Sequence, residues 1–423
     1  MSKTTIKPND ETVPIATGEG ALLSYLDRFG RFPPVTLSIK PLSNPDQEIF
    51  LDKFISYSFL SSILIPVDTF TCEVFYEPVR GILRPREGDI FILRANGIPL
   101  ATGIIDQLDM DTDASTGTKL TVQGRDLLGT WEDQDAVSIN STIAYANKYS
   151  VSQVIRVLAQ DSRIDPNKII FRNMTKTPYL FATQPGESKL SALQRYIESL
   201  DVYFWMNGDG RIIVGKPDVL GVNGRKGTFY LLKQKRRANV LSMRSMRAAS
   251  TVPGLIVPLW NGQESTQSRN RSLSPVVNKD PRVQRLMSLG HRIPKAVVVS
   301  TPEGATPQDL SEINALIVGR QNAAQQKLSK AGASTILQAY AKREMAKQNM
   351  KALGIQCTVA GHYNDSAEPL VVDQTYRVQY DVDEIDEDMF LYEVEYSMSE
   401  NEGQRTRMGF CTQYSLVSDV RAY

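Results

Sequence analysis

Cysteine and histidine are scarce in this chain of 423 residues. The three cysteines, Cys72, Cys357 and Cys411, lie far apart and form no CxxC pair. Their number and spacing exclude a disulfide framework and the common zinc motifs, and they favour synthesis in a reducing compartment. The two histidines are His291 and His362, which leaves little scope for histidine-based catalysis or metal binding.

Long apolar runs are also missing. The N-terminal stretch contains no apolar segment typical of a signal peptide, and no run is long enough to span a membrane. Neither sign of charge is in excess, since 48 Lys and Arg stand against 47 Asp and Glu. We therefore expect a soluble protein that is not a general nucleic-acid binder. The length predicts roughly two to four domains.

One stretch, Asp89–Asp126, organises the rest of the chain. Two strand-like runs within it meet at Asn96-Gly97, a pair that readily takes the positive φ angles of a type I′ hairpin turn. A third run, Leu120–Gln123, alternates apolar and polar residues and ends at Gly124-Arg125-Asp126. The pattern predicts a small antiparallel sheet whose last strand leads into a helical turn, with Asp126 as the candidate N-cap.

Two earlier runs extend this sheet. VTLSIK, from Val35, and TFTCEVF, from Thr69, both alternate with the period of two that marks a strand with one buried face. Pro99 favours an edge position or a bulge. We predict a first β domain over 35–132, a closed or nearly closed barrel being one way to protect its edges. Residues 1–34 are polar, and are either a flexible arm or a clasp that orders on a neighbouring subunit.

The pattern then changes to helices. Ser150 and Gln153 form a capping box at the start of one helix, and a second helix has an apolar stripe from Leu190 to Leu200. The strand VYFWM, a turn at Asn207–Gly210 and the strand RIIVGK follow. This succession predicts an inserted α+β domain over 133–220.

The remaining chain divides into three predicted segments: a loop-rich β segment over 221–306, a helical segment over 307–353 and a second β domain over 354–423. The clearest alternation in the chain predicts a strand with five side chains on one face: Phe390, Tyr392, Val394, Tyr396 and Met398. The predicted fold class is therefore α+β and rich in β-structure.

Two clusters have both a functional and a structural interpretation. Arg225–Arg247 contains eight Lys or Arg and no acid. It would suit an anionic partner or an acidic face of another subunit, although we favour solvated strand and loop surface. The aromatic run Tyr203, Phe204 and Trp205 could be a ligand platform, but core packing is the interpretation we favour.

Acidic residues form two incomplete metal motifs. Three aspartates at every second position resemble the start of an EF-hand loop: Asp109, Asp111 and Asp113. The sixth place is Ala114 rather than Gly and the twelfth is Leu120 rather than Glu, so an exposed hairpin loop fits better. The acidic run Asp381–Asp388 is expected to be a solvated turn, with an intersubunit or lumen-lining role as its alternative.

No GxSxG, HExxH, P-loop or GxGxxG motif occurs. Two carboxylates could still converge as they do in glycoside hydrolases, but nothing nominates a pair. His291 and His362 lack a local partner pattern, so structural histidines are expected. The sequence nominates no catalytic, cofactor-binding or metal-binding residue and no cofactor, and we expect that the protein is not an enzyme.

The order of these motifs resembles a known family. The first β region carries Gly88-Asp89, Asn96-Gly97, Gly103 and TVQGRD at 121–126, and the inserted domain ends in VYFWMNGDGRIIV. The C-terminal strands carry a further set of four matching positions: Leu391, Val394, Gly403 and Thr406. Over 35–220 and 310–415 the chain resembles the central baseplate hub proteins of contractile-tail phages, of Mu-like and P2-like type, and the related spike base of type VI secretion.

The resemblance implies a homotrimer in the baseplate of a virion tail, synthesised in the cytoplasm of the bacterial host. Each subunit would contribute two tube-like β-barrel domains, 35–126 and 354–414, to a pseudo-sixfold ring. The ring would adapt a sixfold tail tube to a threefold central spike and let DNA pass, with the acidic turn at 381–388 facing the lumen. Its expected partners are the spike, the tube or tube-initiator protein, baseplate wedge or sheath-proximal proteins and the tape-measure protein.

Two parts of the chain depart from the family pattern. Residues 248–305 match no element of it, and the N-terminal arm is longer than it requires. The alternative function is a peptidoglycan hydrolase or glycan-binding module at the tail tip, because hub assemblies sometimes carry lytic domains.

Overall fold

The computed structural model describes residues 35–51, 53–77, 84–114, 117–136, 148–159, 162–172, 179–181, 183, 186–198, 202–219, 221, 224–235, 237–246, 252–261, 271–272, 276–290, 294–300, 341–346, 348–350, 354–364 and 366–412. The N-terminal arm, His291 and most of the predicted helical segment lie outside these residues. Of that segment, 341–346 and 348–350 are described, and they are helical as predicted.

The described residues of the first β region form seven strands: β1 (Val35–Lys40), β2 (Ile49–Leu51), β3 (Phe54–Ser62), β4 (Thr69–Phe75), β5 (Ile90–Ala95), β6 (Ile98–Asp113) and β7 (Gly117–Asp126). They pair antiparallel in the order β1-β5-β6-β7-β4-β3. Strand β2 lies two residues before β3 in the chain and pairs with β1. The series of pairings starts at β1 and ends at β3, and the neighbouring strand β2 links that end back to β1.

The turn between β5 and β6 confirms the hairpin predicted from the sequence. Asn96 and Gly97 both have positive φ, 47° and 78°, as a type I′ turn requires. The register shifts between Leu93 and Arg94, opposite Pro99. A proline lacks the amide proton that a regular ladder needs, so its place at this irregularity agrees with the expected bulge.

In its described residues, the inserted region combines three short α-helices and one pair of strands with a three-stranded sheet. Its elements are α1 (Gly129–Asp133), β8 (Lys148–Tyr149), α2 (Val151–Ala159), β9 (Ile169–Arg172), β10 (Tyr179–Leu180), α3 (Lys189–Glu198), β11 (Tyr203–Met206) and β12 (Ile212–Gly215). Strand β12 pairs parallel with β9 and antiparallel with β11, and β10 pairs with β8.

The capping box at the start of α2 is present. The Ser150 amide donates to Gln153 Oε1 (2.9 Å), and the Gln153 amide donates to Ser150 Oγ (3.3 Å). Asp126 is not the N-cap of α1, since Leu128 holds that place, but its carboxylate accepts the Gly129 amide proton (3.2 Å). The sequence therefore identified the capping group and misplaced the start of the helix by two residues.

The second β region is assembled from two separated parts of the chain. Its strands are β13 (Arg225–Leu232), β14 (Arg237–Ala238) and β15 (Ser242–Ser245). Next in the chain come β16 (Leu255–Asn261), β17 (Arg271–Ser272), β18 (Val276–Val277), α4 (Pro281–Ser288) and β19 (Pro294–Ser300), in which β16 pairs with all three other strands as a separate sheet. The region is completed by β20 (Ile355–Ala360), β21 (Gln374–Tyr380), β22 (Ile385–Ser399) and β23 (Gly403–Thr412).

The second region repeats the pairing order of the first. Its strands pair in the order β13-β21-β22-β23-β20-β15, and β14, which lies just before β15 in the chain, pairs back to β13. Each strand thus has a counterpart at the same place in chain order and in pairing order. One pairing differs in direction, because β1 and β5 are antiparallel whereas β13 and β21 are parallel.

The repeat extends to single residues in the longest hairpins. The β6·β7 ladder runs from Gly103↔Asp126 to Asp113↔Gly117, and the β22·β23 ladder runs from Met389↔Thr412 to Ser399↔Gly403. Both ladders have a register shift at the same step, between Ile105 and Gln107 and between Leu391 and Glu393. Two equivalent amides, those of Gly88 and Asp373, donate to the last carbonyl before each shift (2.7 and 3.0 Å).

The shift at Tyr392 corrects one prediction. Phe390 pairs with Cys411, whereas Val394 pairs with Met408 and Tyr396 with Thr406. Three steps along β23 separate Cys411 from Met408, so Phe390 lies on the opposite face from Val394 and Tyr396. The five alternating residues therefore do not share one face, because a bulge adds one residue and inverts the alternation.

Within the residues that the structure describes, the protein is rich in β-structure, with one curled, mainly antiparallel sheet of 14 strands and few helices. One core cluster extends through both β regions, and a second fills the inserted region. Among the described helices, none is long and apolar enough to cross a membrane.

Candidate functional site

The two β regions are joined along strand β22. Its first half, Ile385–Leu391, pairs with β21, and its second half, Glu393–Ser399, pairs with β3 of the first region. At the shift between the halves, the Ile63 amide donates to the Tyr392 carbonyl (3.0 Å). The bulge thus lets one edge of β22 serve two partners, and it makes the two regions one continuous sheet.

Aromatic side chains pack across this joint. Phe59 of β3 stacks on Tyr396 of β22, with 6.0 Å between ring centroids, and His362 meets the edge of Tyr396 at 5.2 Å. The Tyr396 hydroxyl donates to the Leu370 carbonyl. Phe59 and Tyr396 are 3% and 1% exposed, so the joint is part of the core and not a surface contact.

A buried hydrogen-bond chain crosses the joint beside these rings. The Thr406 hydroxyl donates its proton to the Gly361 carbonyl (2.6 Å), so it accepts from Nδ1 of His362 (2.8 Å). The other ring nitrogen, Nε2, therefore accepts from the Tyr57 hydroxyl (2.6 Å). Burial lowers the pKa of His362 to about 3, which keeps the ring neutral. This geometry is that of the structural histidine expected from the sequence.

A second buried polar group lies where the first region meets the inserted region. The Asp126 carboxylate accepts from the amides of Asp68 (3.2 Å) and Gly129 (3.2 Å), and the Asp68 carboxylate accepts from the Ser62 amide (3.1 Å). Burial raises the pKa of Asp126 to about 7. Burial and the neighbouring Asp126 charge raise the pKa of Asp68.

The neighbouring Arg125 points outward and binds three carboxylates. Its guanidinium donates to Asp106 (2.8 and 3.0 Å), to Asp133 (2.7 Å) and to Glu132 (2.9 Å). The hydrogen bonds to Asp106 and Asp133 raise its pKa. Because Asp106 marks the bulge in β6 and the other two acids lie on α1, Arg125 fixes the inserted region to the first sheet. The motif Gly124-Arg125-Asp126 therefore connects the first sheet to the inserted region and holds the two together.

The acidic run at Asp381–Asp388 is partly neutralised within the chain. The Asp381 carboxylate accepts from the backbone amides of Lys233 and Gln234 (3.0 and 2.8 Å), which is the cause of its lowered pKa. Arg377 binds Asp386 (2.7 Å), and Arg225 binds Asp388 (2.9 Å). Much of this run therefore ties β13 to β21 and β22.

The three alternating aspartates lie on a strand and not in a loop. Asp109, Asp111 and Asp113 belong to the outer part of β6, which continues to the turn before Gly117. That part of β6 is exposed, and it includes Met110, which is 46% exposed. The structure brings no group of three or more potential metal ligands together within the part of the chain that it describes.

Some basic residues of the 225–247 segment form ion pairs within the chain, and others are exposed. Lys226 and Arg225 are engaged with acids of the second region, Glu368 and Asp388. Farther along, Lys233, Lys235 and Arg244 are exposed. Strand β15, which carries Arg244, pairs with β20 along one edge, and no described strand pairs with its other edge.

The aromatic run of β11 is core, as the preferred interpretation holds. Tyr203 and Trp205 pack into the core of the two β regions, and Phe204 packs into the core of the inserted region. All three are less than 5% exposed. The three aromatic side chains of β11 therefore pack into two cores and form no exposed surface.

One cleft of about 370 Å³ lies where the three regions meet. The first region lines it with Pro99 and Leu100, the inserted region with Asn207 and Asp209, and the second region with Glu368 among others. Its lining contains no histidine or cysteine.

Sequence reasoning did not predict the joint. It placed Tyr392 in an alternating run and Thr406 among the family-matching positions, and it did not name Tyr57. Nothing local marks the role of these three residues in the joint, since each acquires that role from a partner more than forty positions away. The Asp126 carboxylate was found through its capping position, but its buried neighbour Asp68 was not.

No protein-family model and no curated protein matches the sequence. Solved structures do match. The tail protein from Neisseria meningitidis MC58 has a TM-score of 0.64 at 19% identity, covering 90% of this chain and 98% of that chain. The 43 kDa tail protein of prophage MuSo2 from Shewanella oneidensis has a TM-score of 0.64 at 13% identity, covering 90% and 99%.

A more distant match is a chain of the lidless PdpA–VgrG complex, a complex known from Francisella, with a TM-score of 0.51 at 10% identity, covering 93% of this chain and 67% of that chain. The structural neighbours are thus tail proteins and a VgrG-containing complex. The resemblance seen in the sequence is confirmed at the level of the fold.

Proposed function

We propose that this chain, which has the fold of phage tail proteins, is the structural hub of a contractile tail. In this proposal it forms a homotrimeric ring that adapts a sixfold tail tube to a threefold central spike and lets DNA pass. The observation that carries the proposal is the repeated pairing order of the two β regions, β1–β7 and β13–β15 with β20–β23.

The repeat supplies the symmetry that such an adaptor needs. A trimer contains three copies of the chain, and each copy contains two β regions of one plan, so the ring presents six similar units. The three inserted regions break this to threefold symmetry. A sixfold partner can then bind the six repeated units, while a threefold partner binds the three inserted regions. Each interface thus follows the symmetry of its own partner.

The two regions act in this proposal as tube-like barrels. Segments 49–62 and 237–246 each change partner midway, from β1 to β4 and from β13 to β20. Such a segment turns the ends of an open sheet toward each other, which removes exposed edges. The 35–126 barrel and a barrel from 225–246 and 355–412 would line the ring, with the 133–220 domain outside it.

The partners follow from this position in the tail. We propose the central spike, the tube or tube-initiator protein, wedge or sheath-proximal proteins and the tape-measure protein as contacts. The spike has the most support, because a complex containing VgrG is among the structural neighbours. The protein would act in the virion baseplate after synthesis in the host cytoplasm, and its function would be structural and not enzymatic.

Mass measurement of the purified chain in solution tests this proposal. The expected species is a trimer near three times 47.2 kDa, alone or with its spike. A peptidoglycan zymogram provides the complementary test, and no clearing is expected. A protein that stays monomeric with its spike and also clears cell wall would contradict the hub and favour a tail-tip hydrolase.

A further inference from the structure

The joint inside the chain has a counterpart that is left open. Strand β22 continues beyond its bulge as Glu393–Ser399, and this part pairs with β23 on one edge and with β3 on the other. Strand β6 continues beyond its own bulge as Gln107–Asp113, and this part pairs with β7 on one edge. No described strand covers the other edge of Gln107–Asp113.

The strand that would cover it also has a counterpart with a free edge. Strand β15 is the counterpart of β3. Strand β3 precedes β4 in the chain and pairs with it, and β15 precedes β20 and pairs with it in the same way. Strand β3 uses its outer edge to bind β22. The outer edge of β15 binds no strand within the described residues.

We propose that β15 of one subunit pairs antiparallel with the outer part of β6 of a neighbouring copy of this chain. This joint would reproduce between subunits the β3·β22 joint within each subunit. The inference rests on the proposed trimer, and it names the strands and residues that hold the trimer together. Such a contact is head-to-tail, so it closes into a ring only if its rotation fits.

The internal repeat fixes the register of the proposed joint. Glu73 of β4 and Thr358 of β20 occupy equivalent positions in the two regions. Ser56 pairs with Glu73, and Ser242 pairs with Thr358, so Ser56 and Ser242 are counterparts. Two residues farther along each strand, Ser58 is therefore the counterpart of Arg244. In the existing joint Ser58 pairs with Ser397, whose counterpart in β6 is Asp111. Arg244 of one subunit would therefore lie directly opposite Asp111 of its neighbour.

The charges of the two strands agree with this register. Arg244 is exposed, and so is Asp111. The cross-strand neighbour of Asp111 within the chain is Lys119, which instead binds Glu73 (2.9 Å). Opposite charges directly across a strand pair stabilise it, and like charges weaken it. The excess of basic residues in 225–247 and of acidic residues in 109–113 would thus select this pairing.

The apolar side chains agree as well. Met110 is the counterpart of Tyr396, which is buried and stacks on Phe59 of β3. Met110 is 46% exposed in the single chain, and the register places Ser245 of the neighbour opposite it. Covering the outer part of β6 would remove this exposed side chain from water in the way that β3 does for Tyr396.

Cysteine cross-linking of the full chain tests the register. The double variant Arg244→Cys, Asp111→Cys is oxidised with copper phenanthroline and run without reductant, and covalent trimers are expected. A mixture of the two single variants should give covalent dimers only. The background is low because Cys72, Cys357 and Cys411 are buried and burial raises the pKa of each thiol.

The control pair is Arg244→Cys with Gln107→Cys. Gln107 is four residues from Asp111, or about 13 Å along the strand, which exceeds the reach of a disulfide. Equal cross-linking of the control pair would overturn the register. A trimer by mass with no cross-link in the Arg244, Asp111 variant would overturn this joint and leave the hub proposal standing. A chain that stays monomeric with its spike present and forms no cross-link would overturn both.

A charge exchange provides a second measurement. Arg244→Glu should weaken the trimer about tenfold for each interface, and the double variant Arg244→Glu, Asp111→Arg should restore it. The matched control is Arg156→Glu on the exposed face of α2, which should leave the trimer unchanged. Failure of the double variant to restore a trimer that Arg244→Glu has lost would count against a direct contact.

Discussion

The two β regions have one backbone plan and two different surfaces. Their long hairpins share the ladder, the bulge and the turn position, yet the outer part of β22 is covered by β3 whereas the outer part of β6 is exposed. The two strands have the same backbone pairing within their hairpins, and they differ in whether another strand pairs with their outer edge. A duplicated unit can therefore provide a permanent joint at one copy and leave an edge for assembly at the other.

Side chains follow this difference. After the bulge, β22 carries Val394 and Tyr396 into the core, whereas β6 alternates aspartates with Leu108, Met110 and Thr112. Charged residues on an open edge also discourage pairing with the wrong strand. The acidic residues at this edge of β6 thus favour pairing with a basic strand over pairing with other strands.

The largest expected effect is the difference in unfolding free energy between alanine variants at two equivalent positions, Tyr396 and Met110. Replacing Tyr396 by Ala should cost about 4 kcal/mol of unfolding free energy, because a buried aromatic ring leaves a cavity and an unpaired carbonyl. Met110→Ala should change the stability of the monomer by less than about 0.5 kcal/mol. Urea unfolding at a concentration below that of assembly measures both values.

Val122→Ala is the control for this comparison, since Val122 pairs with Leu108 in the first region and is fully buried. Its expected cost of about 1–2 kcal/mol shows that the first region is also sensitive where it is packed. If Met110→Ala were as costly in the monomer as Tyr396→Ala, the outer edge of β6 would be covered within the chain.

Local signals in the sequence predicted much of the fold. The positive φ angles at Asn96-Gly97 and the capping box at Ser150 depend on residues close in the chain, and both are confirmed. The apolar stripe of α3 is confirmed through Leu190, Leu193 and Ile197, which are buried, whereas its last predicted residue, Leu200, lies outside the described residues. Such features need no tertiary information.

The joint could not be predicted in this way. Over the two matched ladders, Gly103–Asp126 and Met389–Thr412, the only identical pair is the turn glycine, Gly117 and Gly403. The repeat is a property of backbone pairing that many side chains satisfy. The bulge at Tyr392 also has no local mark, and it inverted the face assigned to Phe390.

The next expected effect concerns two buried titratable groups, one in each region, whose pH dependences have opposite sign. The folded chain keeps a proton on Asp126 up to about pH 7, whereas an unfolded Asp releases it near pH 4. Asp126 therefore makes stability fall as pH rises from about 4 to 7. His362 stays neutral down to about pH 3, whereas an unfolded His gains a proton near pH 6.5. His362 therefore makes stability fall as pH falls from about 6.5 to 3.

Two conservative variants separate these contributions. Relative to the unmodified protein, Asp126→Asn should gain about 2 kcal/mol between pH 5 and pH 8. His362→Gln should lose about 2 kcal/mol relative to the unmodified protein over the same rise in pH. Urea unfolding at the two pH values gives both differences. Shifts of the same sign in the two variants would show that at least one of the groups does not titrate in this way.

The smallest expected effect tests whether the two hairpins are equivalent at their turns. Gly117 and Gly403 open β7 and β23 with φ of 89° and 66°, and a Cβ at either position would meet no atom within 4 Å. Alanine at each should therefore cost about 1 kcal/mol through backbone strain alone. Because the positions match in the ladder, the two costs should agree within about 0.5 kcal/mol in the monomer. In the proposed trimer, the turn of β6·β7 would lie beside the intersubunit strand, next to Asp113. An additional cost of Gly117→Ala that appears only in the trimer would place that turn in the interface, and equal costs in both states would confine the interface to the strand before it.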